Sequence, residues 1–218
     1  MYLGGFGIGF GRYVPPIEQL PYIEFYFPGL LCTTMMMVSY FESTYPNFSK
    51  LNYQKTYITM LLTKITPKNI WYGETLWGTS KALLSAVGLV LISSIFGLFS
   101  LKIVLVIPVL FLLAWIFSAF GILVMSMARS YDSFIYSTSG LIVPLSLFSG
   151  TVFSLHDVPY FIKLFAYLFP LSHAVEICRT IIYKSVSIEI LPHLLVLIVY
   201  AIGMSVLSLK VFSKKLTY

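Results

Sequence analysis

Charge is what this chain has least of. Only 10% of its 218 residues are Asp, Glu, Lys or Arg, against 58% hydrophobic residues and a mean hydropathy of +0.89. A water-soluble domain of this size needs far more charge to cover its surface, whereas lipid tails accept Leu, Ile, Val and Phe on the outside. The composition excludes an ordinary soluble domain and points to an integral membrane protein. Cysteine is nearly absent too. Cys32 and Cys178 stand alone in apolar surroundings, which excludes a disulfide framework or a cysteine metal site and leaves the redox compartment open.

The motifs of hydrolytic and metal chemistry are missing. There is no Gly-x-x-x-x-Gly-Lys phosphate loop, no His-Glu-x-x-His zinc pair and no Gly-x-Ser-x-Gly turn, so the chain is expected to hold no catalytic or metal-binding residue and not to hydrolyse ATP by itself. His173 and Glu176 sit three residues apart, but one His–Glu pair lacks further ligands. An outer-face hydrogen bond or a Glu176–Arg179 helix pair accounts for them better. His156 and His193 fall next to expected span ends. Fourteen basic residues outnumber eight acidic ones. They are scattered or flank apolar runs, without an aromatic-interleaved basic patch, so the excess calls for a lipid bilayer and no nucleic acid.

Five apolar runs are long enough to cross a hydrocarbon core of about 30 Å. They extend from about Pro28 to Tyr45, Leu76 to Leu98, Val104 to Met127, Phe134 to Val152 and Ile190 to Val211. Placing the loop Pro46–Asn69, Arg129 and the tail from Lys210 on one side collects eight Lys/Arg in three short segments. Arg12, Lys102, Lys163, Arg179 and Lys184 share about twice that length on the other side. The lysine-rich side is therefore expected to be cytoplasmic, with the carboxyl terminus inside. Glu42, Glu74 and Lys81 are expected within one or two turns of that boundary, where long side chains reach water. Glu74 and Lys81 are too far apart along a straight helix to pair with each other. The absence of an ionisable cluster at mid-membrane argues against a proton- or sodium-driven carrier.

Two stretches depart from plain spans. Residues 1–14 are apolar and glycine-rich, with Gly5/Gly9 and Gly7/Gly11 at the spacing of packed membrane helices. They read as the outer end of a truncated first span; a short re-entrant or disordered tail is the alternative. Residues 150–189 alternate short apolar pieces with Pro159 and Pro170, and neither piece, Pro159 to Phe169 nor Ser172 to Tyr183, is long enough to span. They fit either a re-entrant outer hairpin or a surface loop with two interfacial helices. The fold expected is all-α and polytopic: one transmembrane domain over 1–218, with five full spans and the remnant of another. Between the first two full spans, residues 46–69 carry Leu51, Ile58, Leu61, Leu62 and Ile65 at helical spacing, the pattern of an amphipathic surface helix.

The order of motifs carries a resemblance. Glu42-Ser-Thr-Tyr, Tyr53-Gln-Lys-Thr-Tyr57, Thr66-Pro67 and Gly73-Glu-Thr-Leu-Trp77 are followed by Phe148-Ser-Gly-Thr-Val-Phe153, Pro159 and Phe169-Pro-Leu-Ser-His-Ala-Val175 ending at Arg179. Over nearly its whole length the chain resembles the membrane subunit of type-2 ABC exporters, closest to nodulation-factor, or lipo-oligosaccharide, export permeases. It departs from them in lacking most of the first span and in having Ser154 where proline is common. The resemblance implies a coupling helix from about Lys50 to Thr63, with Lys50, Tyr53, Gln54, Lys55, Tyr57, Thr66 and Pro67 facing or framing a partner ATPase. Interfacial anchoring is the alternative for Tyr53, Lys55 and Tyr57. Gly150, Phe153, Pro159, Pro170, His173 and Arg179 form the outer-loop signature.

Further implications are a homodimer of permease copies, a dimer of cytoplasmic ATPase subunits that bind ATP and Mg, and a bacterial inner-membrane location. The substrate implied is an amphiphile: a lipo-oligosaccharide, glycolipid or drug. Tyr40, Phe41, Tyr45 and Trp115 have aromatic faces suited to it, but packing explains such residues equally well. A non-transporting scaffold or inactive remnant is the alternative function.

Overall fold

The computed structural model describes residues 3–155, 158–184 and 188–217; His156 lies outside them. Among the described residues the chain is helical, with one isolated bridge between Ile17 and Leu20 and no strand. α1 spans Tyr22–Asn52, α2 Thr56–Leu61, α3 Pro67–Ile95, α4 Ile103–Met127, α5 Asp132–Ser137, α6 Val143–Phe148, α7 Tyr160–Tyr167, α8 Pro170–Tyr183 and α9 Ile190–Thr217.

α1 outruns its apolar stretch at both ends because Tyr22, Phe25, Phe27, Phe48 and Leu51 bury themselves against neighbouring helices. α3 begins well before Leu76. Thr66 has extended backbone, its hydroxyl accepts the Asn69 N–H at 3.3 Å, and Pro67 occupies the first turn, where its missing donor costs nothing. α5 and α6 are one interrupted helix joined by a π-helical turn, Thr138–Ile142. Pro144 supplies the cause: in a regular helix its ring would press on the carbonyl of Gly140, and a widened turn relieves the clash.

By length and composition α3, α4 and α9 can each cross a membrane, and a fourth crossing counts if α7 and α8, bent by 93°, are a single broken span. α1, with 31 residues, is long enough but too polar to qualify on composition. Its polarity is sheltered, since α1 packs against α3, α4 and α8 and forms the centre of the bundle.

The tightest packing is where α1, α3 and α4 cross. A Cβ on Gly78 would stand 2.5 Å from Ser43 Oγ and 2.8 Å from Ser118 Oγ; one on Gly121 would stand 2.8 Å from Ser43 Cβ. Ser43 and Ser118 hydrogen-bond each other at 2.6 Å, and Ser118 also reaches the Thr75 carbonyl at 3.1 Å. Small residues here let the backbones approach, and the hydroxyls satisfy one another away from water. α9 leans on this bundle through two indoles: Trp71 Nε1 donates to Ser208 Oγ at 3.0 Å and Trp115 Nε1 to Ser205 Oγ at 2.9 Å.

At the amino-terminal end, a π-helical segment, Leu3–Gly9, and a 3-10 turn, Phe10–Arg12, lie against the start of α1. Of the two glycine pairs, Gly7 and Gly11 make the close approach, to Ile23 and Tyr22, while Gly5 meets nothing.

Candidate functional site

The helix expected from Lys50 to Thr63 is divided in the structure. Lys50 and Leu51 belong to the last turn of α1, and Lys55 takes a left-handed backbone, φ 56°, which breaks the helix before α2 begins. Only the six residues Thr56–Leu61 form the surface helix. The residues singled out at this end separate into two groups. Tyr53, Gln54 and Lys55 are exposed, as are Ile58, Leu62 and Ile65. Tyr57 is buried, its ring edge-on to Phe212 of α9 at 5.8 Å. Burial, reinforced by the nearby Glu74 carboxylate, raises the Tyr57 phenol well above its ordinary pKa, and its hydroxyl sits beside that carboxylate without a well-formed hydrogen bond. Lys50 turns inward to bind both Glu74 carboxylate oxygens at 2.8 Å.

At the opposite end two of the signature residues, Gly150 and Arg179, meet. Arg179 Nη2 donates to the carbonyls of Gly150, at 2.8 Å, and Phe25, at 3.4 Å, and the guanidinium lies 3.8 Å from the Phe25 ring centre. Glu176 is 3.8 Å from Nη1. One buried cation thus ties α8 to the turn after α6 and to the start of α1. Gly150 makes that turn with φ +76°, a conformation that penalises any side chain. Phe153 packs edge-on to Phe148 at 6.3 Å. Pro159 precedes the first residue of α7, and Pro170 opens α8. His173 pairs across to α9 and not along its own helix. Its Nε2 donates to the Tyr167 carbonyl at 2.9 Å, which leaves Nδ1 to accept the His193 Nδ1–H at 2.7 Å. Ser154 is buried and bonds the Glu18 carboxylate at 2.9 Å. Among the described residues no three His, Cys, Asp or Glu converge as a metal site.

The charges within the helices form a ladder that single-helix reasoning missed. Glu42 and Lys50 on α1 face Lys81 and Glu74 on the antiparallel α3, giving Lys50–Glu74 at 2.8 Å and Lys81–Glu42 at 2.7 Å. The signal was in the sequence: on each helix a Glu is followed by a Lys about two turns on, an order that antiparallel packing sets opposite charge to opposite charge. Tyr40 and Trp115, considered for substrate contact, are committed to packing. Tyr40 hydrogen-bonds Ser137, and Trp115 is held by Ser205. Tyr45 stacks on Tyr131, with ring centres 6.1 Å apart.

A family model described as "ABC-2 family transporter protein" matches residues 14–210. The chain is 28% identical to Nodulation protein J of Sinorhizobium fredii over 98% of its length and 82% of the relative's. It is 29% identical to Nodulation protein J of Rhizobium meliloti, covering 99% and 83%. For the Azorhizobium caulinodans protein of the same name the identity is 28%, covering 98% and 85%. No solved structure matches. With an all-α fold, apolar spanning helices and a family match over nearly the whole chain, the chain belongs to the ABC-2 transporter family, as a multi-pass membrane permease subunit of an ABC exporter.

Proposed function

We propose that two copies of this chain form the membrane part of an exporter that moves an amphiphile with sugar and acyl parts outward across the bacterial inner membrane. A dimer of cytoplasmic ATPase subunits, which bind the ATP and Mg, drives the pair. In this reading the lysine-rich end and the carboxyl terminus are cytoplasmic, in keeping with the concentration of Lys and Arg there. The observation that carries the proposal is the two-faced seating of α2. One face is exposed, with Tyr53 and Lys55 before it, Ile58 within it and Leu62 after it. The other is clamped: Tyr57 sits on Phe212 of α9 beside the Lys50–Glu74 pair that joins α1 to α3. A partner pushing on the exposed face moves three long helices together, which is how ATP-driven closure becomes a tilt of the spans without chemistry in this chain.

The test is co-expression with an ABC ATPase subunit from the same source, followed by purification and ATP hydrolysis assays. The pair is expected to stay together and hydrolyse ATP. Ile58→Asp or Leu62→Asp, each placing a charge on the exposed face, is expected to break the complex while leaving the chain folded. A complex indifferent to both, or no complex at all, would overturn the proposal. A stable complex that hydrolyses ATP but exports no amphiphile would favour the scaffold reading instead.

A further inference from the structure

Two cavities lie along one face of α9. Around His193, near the Ile190 end, a polar pocket of about 350 Å³ is lined by Tyr167, Glu176, Thr180, Lys184 and Glu189. Further along, Tyr200 and Met204 form a wall of an apolar cavity of about 260 Å³, with Phe117 and Phe120 of α4, Leu141 and Leu168. At 3.6 residues per turn, Tyr200 and Met204 return to within about 20° of His193 and stand about 10 Å and 16 Å beyond it along the axis. Leu197, between them on that face, is buried. The walls come from α4, the π-helical turn, α6, α8, α9 and the bend between α7 and α8. Among the described residues, neither α1 nor the segment before it lines either cavity.

The two cavities share that bend. Tyr167 lines the polar one and its neighbour Leu168 the apolar one. Both peptide carbonyls are held in place, that of Tyr167 by His173 Nε2 at 2.9 Å and that of Leu168 by the Tyr200 hydroxyl. Leu168 also borders a wider apolar groove of about 820 Å³ between α6 and α7, which gives a bound tail room to continue.

A polar and an apolar volume in line at this spacing match the two halves of one single-tailed amphiphile. We infer that the α8–α9 cleft holds the exported amphiphile, its uncharged, hydroxyl-rich head in the pocket beside His193 and its acyl tail in the cavity beside Met204. This rests on the exporter reading above, with the head toward the end of α9 remote from Lys214 and Lys215. The charges around the pocket select the head. Lys184 Nζ already lies 3.5 Å from the Glu18 carboxylate, and the Glu176 carboxylate 3.8 Å from Arg179, so neither draws in an ionic head of opposite sign. Sugar hydroxyls can donate to Glu176 and Glu189. They can also donate to His193 Nε2, the nitrogen left without a hydrogen when a neutral His193 gives its Nδ1–H to His173. The Tyr167 ring adds an aromatic surface for a sugar.

Photolabelling tests this directly. The probes are dodecyl maltoside, dodecyl phosphate and dodecyltrimethylammonium, each with a diazirine at the end of its tail. They are added below micellar concentration to the chain in lipid nanodiscs, with an ABC ATPase subunit from the same source or alone, and mass spectrometry locates the adducts. The maltoside is expected to label the cavity wall, at Met204 or Phe117, about fivefold more than either charged probe. Met204→Trp or Leu141→Trp, filling the cavity from different walls, should abolish this labelling, while Cys32 and Cys178 closed to maleimide report a folded chain. Glu189→Gln and Tyr167→Phe each remove one polar partner of the head at nearly constant size. Each should raise the half-saturating maltoside concentration about five- to tenfold, the scale of one hydrogen bond, and leave labelling by the charged probes unchanged. Equal labelling by a charged probe, no adduct above the level on the exposed α3 residue Leu91, or labelling indifferent to both folded tryptophan variants overturns the inference. If the cavity takes the maltoside selectively but no ATPase complex forms, the cleft site stands and the exporter reading falls. An active complex whose cavity takes no maltoside removes the site and leaves the exporter.

Discussion

At the residue scale, Tyr57 separates packing from polarity. Its ring fills the space against Phe212, while its buried hydroxyl, beside the Glu74 carboxylate, makes no well-formed hydrogen bond. Removing only the hydroxyl, in Tyr57→Phe, is expected to leave stability unchanged or raised, because an unsatisfied buried polar group costs free energy. Tyr57→Ala should cost about 3–5 kcal/mol through the cavity it leaves. Thermal unfolding of the two variants in one detergent checks the order, and Tyr57→Phe as the less stable of the two would refute it. Gly78→Ala is a sharper case, since the added methyl meets Ser43 and Ser118 from two different helices. It should destabilise by about 1–3 kcal/mol, as overpacking does, whereas Gly88→Ala, facing open space in the same helix, should not. These contacts were illegible in the sequence. Tyr57 was expected to face a partner ATPase or to anchor at a membrane boundary, not to pack under α9, and nothing distinguishes Gly78 from Gly88 until helix crossings are known.

At the element scale, turn chemistry was readable and partnership was not. Thr66-Pro67 announces a helix start by itself, and α3 begins there. Thr66→Ala should lower stability by about 1 kcal/mol, measured by the same unfolding assay, because the Asn69 N–H loses its acceptor. Lys55 behaves oppositely. Its left-handed backbone splits the helix that hydrophobic spacing predicted, because periodicity records where apolar residues recur and not where the backbone turns. Lys55→Gly removes the steric penalty and should leave the chain as stable or slightly more so, with any loss of ATPase binding then traceable to the missing charge. α8 was legible as a proline-bounded apolar piece. Its anchoring by Arg179 to carbonyls of two distant segments was not, since no pattern on α8 names Gly150 or Phe25.

At the scale of the whole molecule, composition alone established the membrane class, and the long apolar runs located α1, α3, α4 and α9, the last three of which qualify as spans by length and composition. The extent of α1 beyond Pro28 and Tyr45 was not legible, because the residues at its ends are covered only once three neighbouring helices are in place. The global fold has a built-in reporter. Cys32 and Cys178 come within 3.5 Å of each other between α1 and α8, both buried. A maleimide should leave both untouched in the native protein and modify both after unfolding, with mass spectrometry counting the adducts; labelling of the native chain would contradict this packing. The crossing at Ser43, Gly78 and Gly121 carries a mechanical consequence as well. Helices pressed that close cannot slide apart there, so the crossing is a fulcrum. Ser43 lies near the Asn52 end of α1 and Gly78 near the Pro67 end of α3, which leaves the longer lever arm on the far side of each. Under the exporter proposed above, a small squeeze at the lysine-rich end would become a larger spreading at the opposite end.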